Sequence, residues 1–206
     1  VTKYGHDEIS DEAERLLRQN FAVIEAAHPV PDDNSLVGGR ALLDAVEAME
    51  PGQSLLLLVS GGASALAEVP VEGLALEDLR VKNAELLASG LDIHAINARR
   101  REFSRIKGGG LLSHFKGARA DVLAISDVEG DDIAVIGSGI GMIPASRRAD
   151  DMDAEIIASN AIAREACTRA ADDMGLEVIV SSENLYGDVF GVAADLAETV
   201  KAGAPG

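Results

Sequence analysis

SLLLLVSGGAS, residues 54–64, joins a continuously apolar run to a pair of glycines. An uninterrupted apolar run is typical of a strand covered on both faces, as in a parallel sheet. Glycines after such a strand let the backbone approach a bound group closely, and serines add hydroxyl donors. The stretch therefore predicts a buried strand whose carboxyl end opens into a binding loop.

Helical and strand patterns alternate on both sides of this stretch. Apolar residues at helical spacing predict helices over 10–21, 35–50, 76–90, 92–106, 153–175 and 188–203. Shorter apolar runs predict strands over 21–26, 54–60, 121–126, 133–139 and 177–182. This order predicts a three-layer α/β/α fold, Rossmann-like, with a mostly parallel sheet and helices on both faces. We expect residues 1–206 to form a single α/β domain.

The composition and net charge of the chain argue against several classes of partner. The chain has 206 residues, is 47% apolar and carries a formal net charge of -17, which argues against nucleic acid and anionic membranes as partners. It shows no membrane-spanning run and no signal peptide, so we expect a cytoplasmic protein. Its single cysteine, Cys167, excludes an internal disulfide. A small-molecule substrate is the predicted partner, and a homodimer is left open.

A basic cluster stands out in this acidic chain, formed by Arg99, Arg100, Arg101, Arg105 and Lys107. Arg100 and Lys107 are candidates to clamp a carboxylate or phosphate, Arg100 bidentately and Lys107 as a mobile charge. Gly108 and Gly109 follow at the predicted start of the next helix, where backbone amides can bind an anion. Asn97 lies three residues before Arg100, on the same predicted helix face. The alternative is a solvated basic face, which suits Arg99 and Arg101.

Two loops at predicted strand ends complete the candidate site. Ser60, Gly61, Gly62 and Ser64 offer amides and hydroxyls to a phosphate, although a tight turn that needs glycine explains them equally well. The loop over 126–132 holds four carboxylates, a pattern that suits Mg²⁺ or a merely solvated acidic turn. Asp127, nearest the strand end, is the candidate metal ligand.

Five motifs in this order resemble the glycerate 2-kinase family, whose C-terminal part is called the MOFRL domain and some of whose members are labelled hydroxypyruvate reductase. They are KYGH, HPVPDDNS, LLLLVSGGASAL, LLASGLDIHAINARRREFSRIKGGGLL and ISDVEGDDIAVIGSG. The resemblance implies ATP-dependent, Mg²⁺-assisted phosphorylation of glycerate. It also implies phosphate binding by the loop at 60–64, roles for Asn97, Arg100 and Lys107 toward substrate and phosphate, and a metal or acid–base role for Asp127.

The chain departs from the family pattern in four places. Glu102-Phe103-Ser104 replaces a His-Leu-Ser run, Ala63 replaces a third glycine, and Ser138-Gly139-Ile140-Gly141 replaces Ser-Gly-Pro-Thr. The family's Gly-Lys-Ala segment and its C-terminal domain have no counterpart. The resemblance thus implies the large N-terminal domain of a two-domain enzyme. A hydroxypyruvate reductase and a non-catalytic anion- or nucleotide-binding module are the alternatives, although the chain lacks a Gly-x-Gly-x-x-Gly turn.

Overall fold

A computed structural model of the chain describes residues 1–6, 21–146, 151–182 and 187–203. Its contacts divide into two compact units, residues 1–157 and 158–206. Apart from Phe21, the helix predicted over 10–21 lies outside the described residues. No helix in the described ranges combines the length and the apolar character that crossing a bilayer demands.

Parallel strand pairing organises the first unit. β1 (Thr2–Lys3) pairs in parallel with β2 (Glu25–Ala26) in a two-stranded sheet. A second sheet has the order β3 (Ser54–Val59), β4 (Arg119–Ile125), β5 (Met152–Ala158). β3 and β4 are parallel and run in register from Ser54 opposite Arg119 to Val59 opposite Ala124. The predicted α/β fold with parallel strands and flanking helices is confirmed.

Seven helices are described. The first unit contains α1 (Asp33–Glu47), α2 (Ala63–Leu66), α3 (Leu76–Ala88), α4 (Ile93–Glu102) and α5 (Gly110–Ser113). Short 3-10 turns follow at Glu129–Asp131 and Ile136–Gly139. The second unit contains α6 (Asn160–Asp173) and α7 (Val189–Gly203). The helices predicted over 35–50, 76–90, 92–106 and 188–203 are confirmed with shifted ends.

The core of the first unit packs helices on one face of the second sheet. Leu57 and Val59 of β3 are buried there together with Leu43 of α1 and Phe115 beyond α5. Neighbouring strand residues point to the opposite face, because side chains alternate along a strand. Leu56 and Leu58 are consequently 60% and 68% exposed, so the predicted continuous burial of this strand is wrong at alternate positions.

Three segments differ from the sequence prediction. Residues 133–139 form a turn instead of a strand, because Gly137, Ser138 and Gly139 all adopt positive φ. Met152–Ala158 is a strand where the helix over 153–175 was expected to start. Pairing with β4 outweighs the helix-forming residues in that segment. The residues at 177–182 are not part of a described strand.

Asp32 caps the N-terminus of α1. Its Oδ1 accepts from the Ser35 amide at 3.0 Å, while Ser35 Oγ accepts from the Asp32 amide at 3.0 Å, which forms a capping box. Tyr4 Oη donates to Asp32 Oδ2 at 2.7 Å and so ties β1 to the helix. Burial of Asp32 acts to raise its pKa, but the bonds from Tyr4, the Ala27 amide and Ser35 outweigh it and lower the pKa.

Asp32→Ala is expected to destabilise the protein by about 1 kcal/mol at pH 7, because it removes this cap. A carboxyl whose pKa is depressed by folding stabilises above its unfolded pKa of about 3.9, and that stabilisation is lost as pH falls. The difference between variant and wild type should therefore shrink when urea unfolding is repeated near pH 3. Asp33→Asn, one residue further on and exposed, is the control. An equal loss at both pH values would contradict the prediction.

Candidate functional site

A cavity of about 610 Å³ opens where β3 ends, a size typical of small-molecule sites. Its walls come from four segments of the first unit. These are residues 28–31, the loop and helix at 61–65, one side of α3, and the segment from Arg100 in α4 to Lys107 before α5. The lining residues are His28, Pro29, Val30, Pro31, Gly61, Gly62, Ser64, Ala65, Glu77, Arg80, Val81, Asn83, Ala84, Leu87, Arg100 and Lys107.

The α3 wall is largely apolar. Val81, Ala84 and Leu87 recur at helical spacing and face the cavity. Leu87 is 65% exposed, whereas Leu79, on the other side of the same helix, is buried. The cavity thus combines an apolar wall with a polar end.

Lys107 lies at the polar end and is held by a buried acid. Its side chain is 3% exposed, and its Nζ lies 2.5 Å from Oε2 of Glu68, which is fully buried. The other carboxylate oxygen, Oε1, accepts from Ser104 Oγ at 2.5 Å and from the Val69 amide at 2.9 Å. Because every carboxylate oxygen and the ammonium are paired, this burial of charge is compensated.

Arg100 presents a second cation to the cavity. Its Nε donates to Asn83 Oδ1 at 3.1 Å, and the guanidinium makes no further hydrogen bond to a residue within the described ranges. Burial lowers the pKa of Arg100 and the nearby charge of Glu68 opposes that shift. A guanidinium stays charged in proteins, so its incomplete pairing favours an incoming anion.

Arg80 adds a third cation, anchored by the neighbouring segment. Its Nε donates to the Pro31 carbonyl at 2.8 Å, and its Nη1 lies 3.3 Å from Oε2 of Glu77. Arg80 therefore fastens α3 to the turn at 28–31 and contributes charge at the rim. Three cations therefore line one cavity in a chain of net charge -17, and two of them, Lys107 and Arg80, are paired with Glu68 and Glu77.

Gly61 and Gly62 form the glycine corner that directly follows β3. Their amides donate no backbone hydrogen bond to another residue of the described chain, so they are available to a ligand. A Cβ at Gly61 would overlap the carboxylate of Asp127, whereas one at Gly62 would meet Leu66 and His28 at ordinary contact distance. The following helix, α2, has only four residues, so single amides, and not a helix dipole, carry any anion binding.

Asp127 reaches Gly61 because of the strand register. Val59 pairs with Ala124, so the residues that follow β3 and β4 leave the sheet side by side. Asp127 is exposed, and its carboxylate lies against the Gly61 backbone. Across the described residues, no group of three or more His, Cys, Asp or Glu side chains is arranged to hold a metal ion. Asp127 is thus a single carboxylate beside the glycine corner.

A buried chain of polar groups supports the corner from behind. Ser138 Oγ donates to Asn97 Oδ1 at 3.1 Å and lies 2.8 Å from Ser64 Oγ. Asn97 is buried and does not line the cavity. Ser138 adopts a φ of 57°, a strained value for a residue with a side chain. These bonds fix the position of Ser64 relative to α4.

Gly108 and Gly109 shape the backbone instead of facing the cavity. Their amides donate to the carbonyls of Ser138 and Gly139 at 3.0 and 2.9 Å, so neither amide is free for an anion in this conformation. Both adopt positive φ, and a Cβ at Gly108 would overlap the Arg101 side chain. Arg101 was expected to be exposed, but it is half-buried and its Nη2 donates to the Ala134 carbonyl.

Of the residues predicted to bind substrate or phosphate, or to catalyse, five line the cavity: Gly61, Gly62, Ser64, Arg100 and Lys107. Asp127 touches the corner, while Ser60, Asn97, Gly108 and Gly109 are outside the lining. Sequence reasoning missed Glu68, Arg80 and Asn83. Arg80 and Asn83 lie three residues apart, a helical spacing that gives them a common face, whereas nothing in the sequence around Glu68 marks its partner 39 residues away.

Fold and cavity together define an α/β domain with a cavity of small-molecule size, lined by the glycine corner and by three cationic side chains. The chain belongs to the DUF4147 family, described as a domain of unknown function, whose model matches residues 1–172. It is 43% identical over 139 residues to a glycerate 2-kinase from Pyrococcus horikoshii, an alignment covering 68% of this chain and 30% of the relative. The predicted resemblance is confirmed.

Two crystal structures share this fold. A protein from Pyrococcus horikoshii matches with a TM-score of 0.71 and 33% identity, over 85% of this chain and 47% of that one. A glycerate kinase from Thermotoga maritima matches with a TM-score of 0.61 and 29% identity, over 98% and 47% respectively. The chain therefore spans about half the length of these two solved chains.

Replacing Arg100 by alanine is expected to weaken binding of tripolyphosphate to the full-length protein about 10- to 100-fold. Hydrogen bonds to charged groups contribute about 1.5–3 kcal/mol, and the Arg100 guanidinium has unpaired donors at the cavity. Titration calorimetry measures the change. The matched control is Arg99→Ala, since Arg99 is exposed and pairs with Glu102 at 3.2 Å. Equal effects of the two substitutions would remove Arg100 from the site.

Proposed function

We propose that the full-length protein phosphorylates glycerate with ATP and that this chain supplies the phosphate- and carboxylate-binding part of its larger domain. The observation that carries the proposal is the convergence of Gly61, Gly62, Arg100 and Lys107 on one cavity in a very acidic chain. The names of the Pyrococcus and Thermotoga relatives support glycerate as the acceptor. The apolar residues Val81, Ala84 and Leu87 in the same cavity suit a ligand with one flat, weakly polar end.

In this mechanism the chain acts by positioning and by neutralising charge, since the phosphoryl group of ATP is already activated. The amides of Gly61 and Gly62 bind phosphate oxygens. Lys107 and Arg100 face the carboxylate of glycerate and the charge that develops on the transferred group. Ser64 donates its one hydroxyl proton to Ser138, whose own proton goes to Asn97, so Ser64 helps to fix the corner and does not donate to the phosphate.

Mg²⁺ fits beside Asp127 within this proposal. Magnesium is commonly bound by one or two carboxylates together with substrate phosphates. The Asp127 carboxylate occupies the space that a Cβ of Gly61 would fill. An ion bound to this carboxylate would therefore lie within reach of a phosphate bound to the Gly61 amide. When bound, the ion would neutralise phosphate charge. Asp127 itself contributes one carboxylate ligand at the corner.

The test is a coupled assay on the full-length protein with ATP, glycerate and Mg²⁺. ADP release that depends on glycerate, with phosphoglycerate identified by ³¹P NMR, is the expected result. A parallel arm supplies hydroxypyruvate and NADH. Oxidation of NADH without glycerate-dependent ADP release would favour the reductase, and calorimetric binding of ATP without turnover would favour a non-catalytic module. Either outcome overturns the kinase proposal.

A further inference from the structure

Glu68 contacts the polar end of the cavity from behind. It is fully buried and does not line the cavity, yet its Oε2 lies 2.5 Å from Lys107 Nζ. Its charge also acts on Arg100, where it opposes the effect of burial. One carboxylate is therefore the common counter-charge of the two cations that face a ligand.

The carboxylate itself is fixed from three sides. Its Oε1 accepts from Ser104 Oγ and from the Val69 amide, which leaves Oε2 to Lys107. The Glu68 amide donates to the Ser35 carbonyl of α1 at 3.0 Å. A Cβ at Gly39 would overlap the Glu68 backbone, so α1 approaches this backbone as closely as only glycine permits. Glu68 cannot follow Lys107 if the lysine moves.

We propose that Glu68 is a positioning residue that fixes the ammonium of Lys107 in one place. This inference rests on the proposed kinase function for its catalytic consequence. A lysine has four rotatable bonds and three ammonium donors. Glu68 accepts from one of these donors, which holds the ammonium in place and leaves the other two for a ligand in the cavity. Without the carboxylate, the ammonium loses the ion pair that holds it and can take other positions.

Glu68→Gln in the full-length protein is the first test, because it keeps the shape and removes the charge. We expect kcat to fall about 100-fold with KM for ATP within about threefold, since misplacement of a group by about 1 Å has that effect on rate. Glu72→Gln is the matched control, an exposed glutamate four positions away. Wild-type kcat in Glu68→Gln would overturn the inference.

Chemical labelling gives a readout that does not depend on kinase activity. Brief treatment with an amine-acylating reagent, followed by peptide mass spectrometry, measures the reactivity of Lys107 relative to Lys116, which is exposed. Loss of the ion pair should raise that relative reactivity clearly above the wild-type ratio in Glu68→Gln, because the Lys107 amine is no longer held against Glu68 and can reach the reagent in the cavity. An unchanged ratio would overturn the inference even if the wild-type protein proved not to be a glycerate kinase.

Glu68→Asp keeps the test decisive if the glutamine variant fails to fold. The shorter side chain retains the charge but draws the carboxylate back by about one carbon–carbon bond. Lys107 labelling should then stay near the wild-type ratio while kcat falls about tenfold. Full kcat in Glu68→Asp would show that the position of the carboxylate is immaterial and would contradict the positioning role.

Discussion

Lys107→Met is expected to lower kcat about 10²- to 10³-fold, the loss typical of removing one preorganised charge from a reacting centre. It should also destabilise the protein by about 3–5 kcal/mol, because it leaves Glu68 buried without its partner. Methionine preserves the unbranched stem, so packing changes little. The coupled assay and urea unfolding of the full-length protein measure the two effects separately.

A double variant separates charge burial from catalysis. Lys107→Met with Glu68→Gln removes both charges of the ion pair, so neither charge is left buried without a partner. Most of the lost stability should therefore return, while kcat stays low. Lys116→Met controls for the loss of a lysine, since that side chain is exposed and outside the cavity. Recovery of kcat together with stability would assign Lys107 a structural role alone.

The proximity of Asp127 to Gly61 could be predicted because it follows from a general rule. Loops leave parallel strands at the same edge of a sheet, so residues after β3 are brought near residues after β4. The glycines and cations are also local signals that a single sequence displays. The rule does not place Arg100 and Lys107, because they lie at the end of a helix and just after it, not after a strand, and only the fold brings them to the cavity.

Glu68 and Asn83 could not be predicted, because their roles depend on long-range contacts. Nothing in the sequence distinguishes Glu68 from the other acidic residues of this acidic chain. Its role becomes visible only in the fold, where it contacts Lys107, 39 residues further along the chain. The strand at Met152–Ala158 was missed for a similar reason: Ala and Glu favour a helix locally, and only pairing with β4 selects the extended form. Sequence patterns indicate the local preference for a helix or a strand. The Glu68–Lys107 contact and the strand at Met152–Ala158 depend instead on residues that are distant in the sequence and close in the fold.

Gly61→Ala tests whether the glycine corner affects kcat by setting the position of the Asp127 carboxylate. The new methyl group would occupy the place of the Asp127 carboxylate, which is exposed and can rotate away without unfolding the loop. We therefore expect a melting temperature close to wild type and a fall in kcat of about 100-fold, since a ligand displaced by about 1 Å is misaligned. Gly62→Ala adds the same methyl without displacing a carboxylate and should have the smaller effect.

A double-mutant cycle shows whether Gly61→Ala lowers kcat by moving Asp127. If Gly61→Ala acts by moving Asp127, then introducing it into Asp127→Ala should lower kcat no further, because residues in contact that act together are not additive. The four proteins, wild type, two single variants and the double variant, form one cycle under the same assay. If the two losses in kcat are fully additive, the methyl group blocks the phosphate directly and Asp127 contributes independently. The metal role of Asp127 would then not depend on the geometry of the glycine corner.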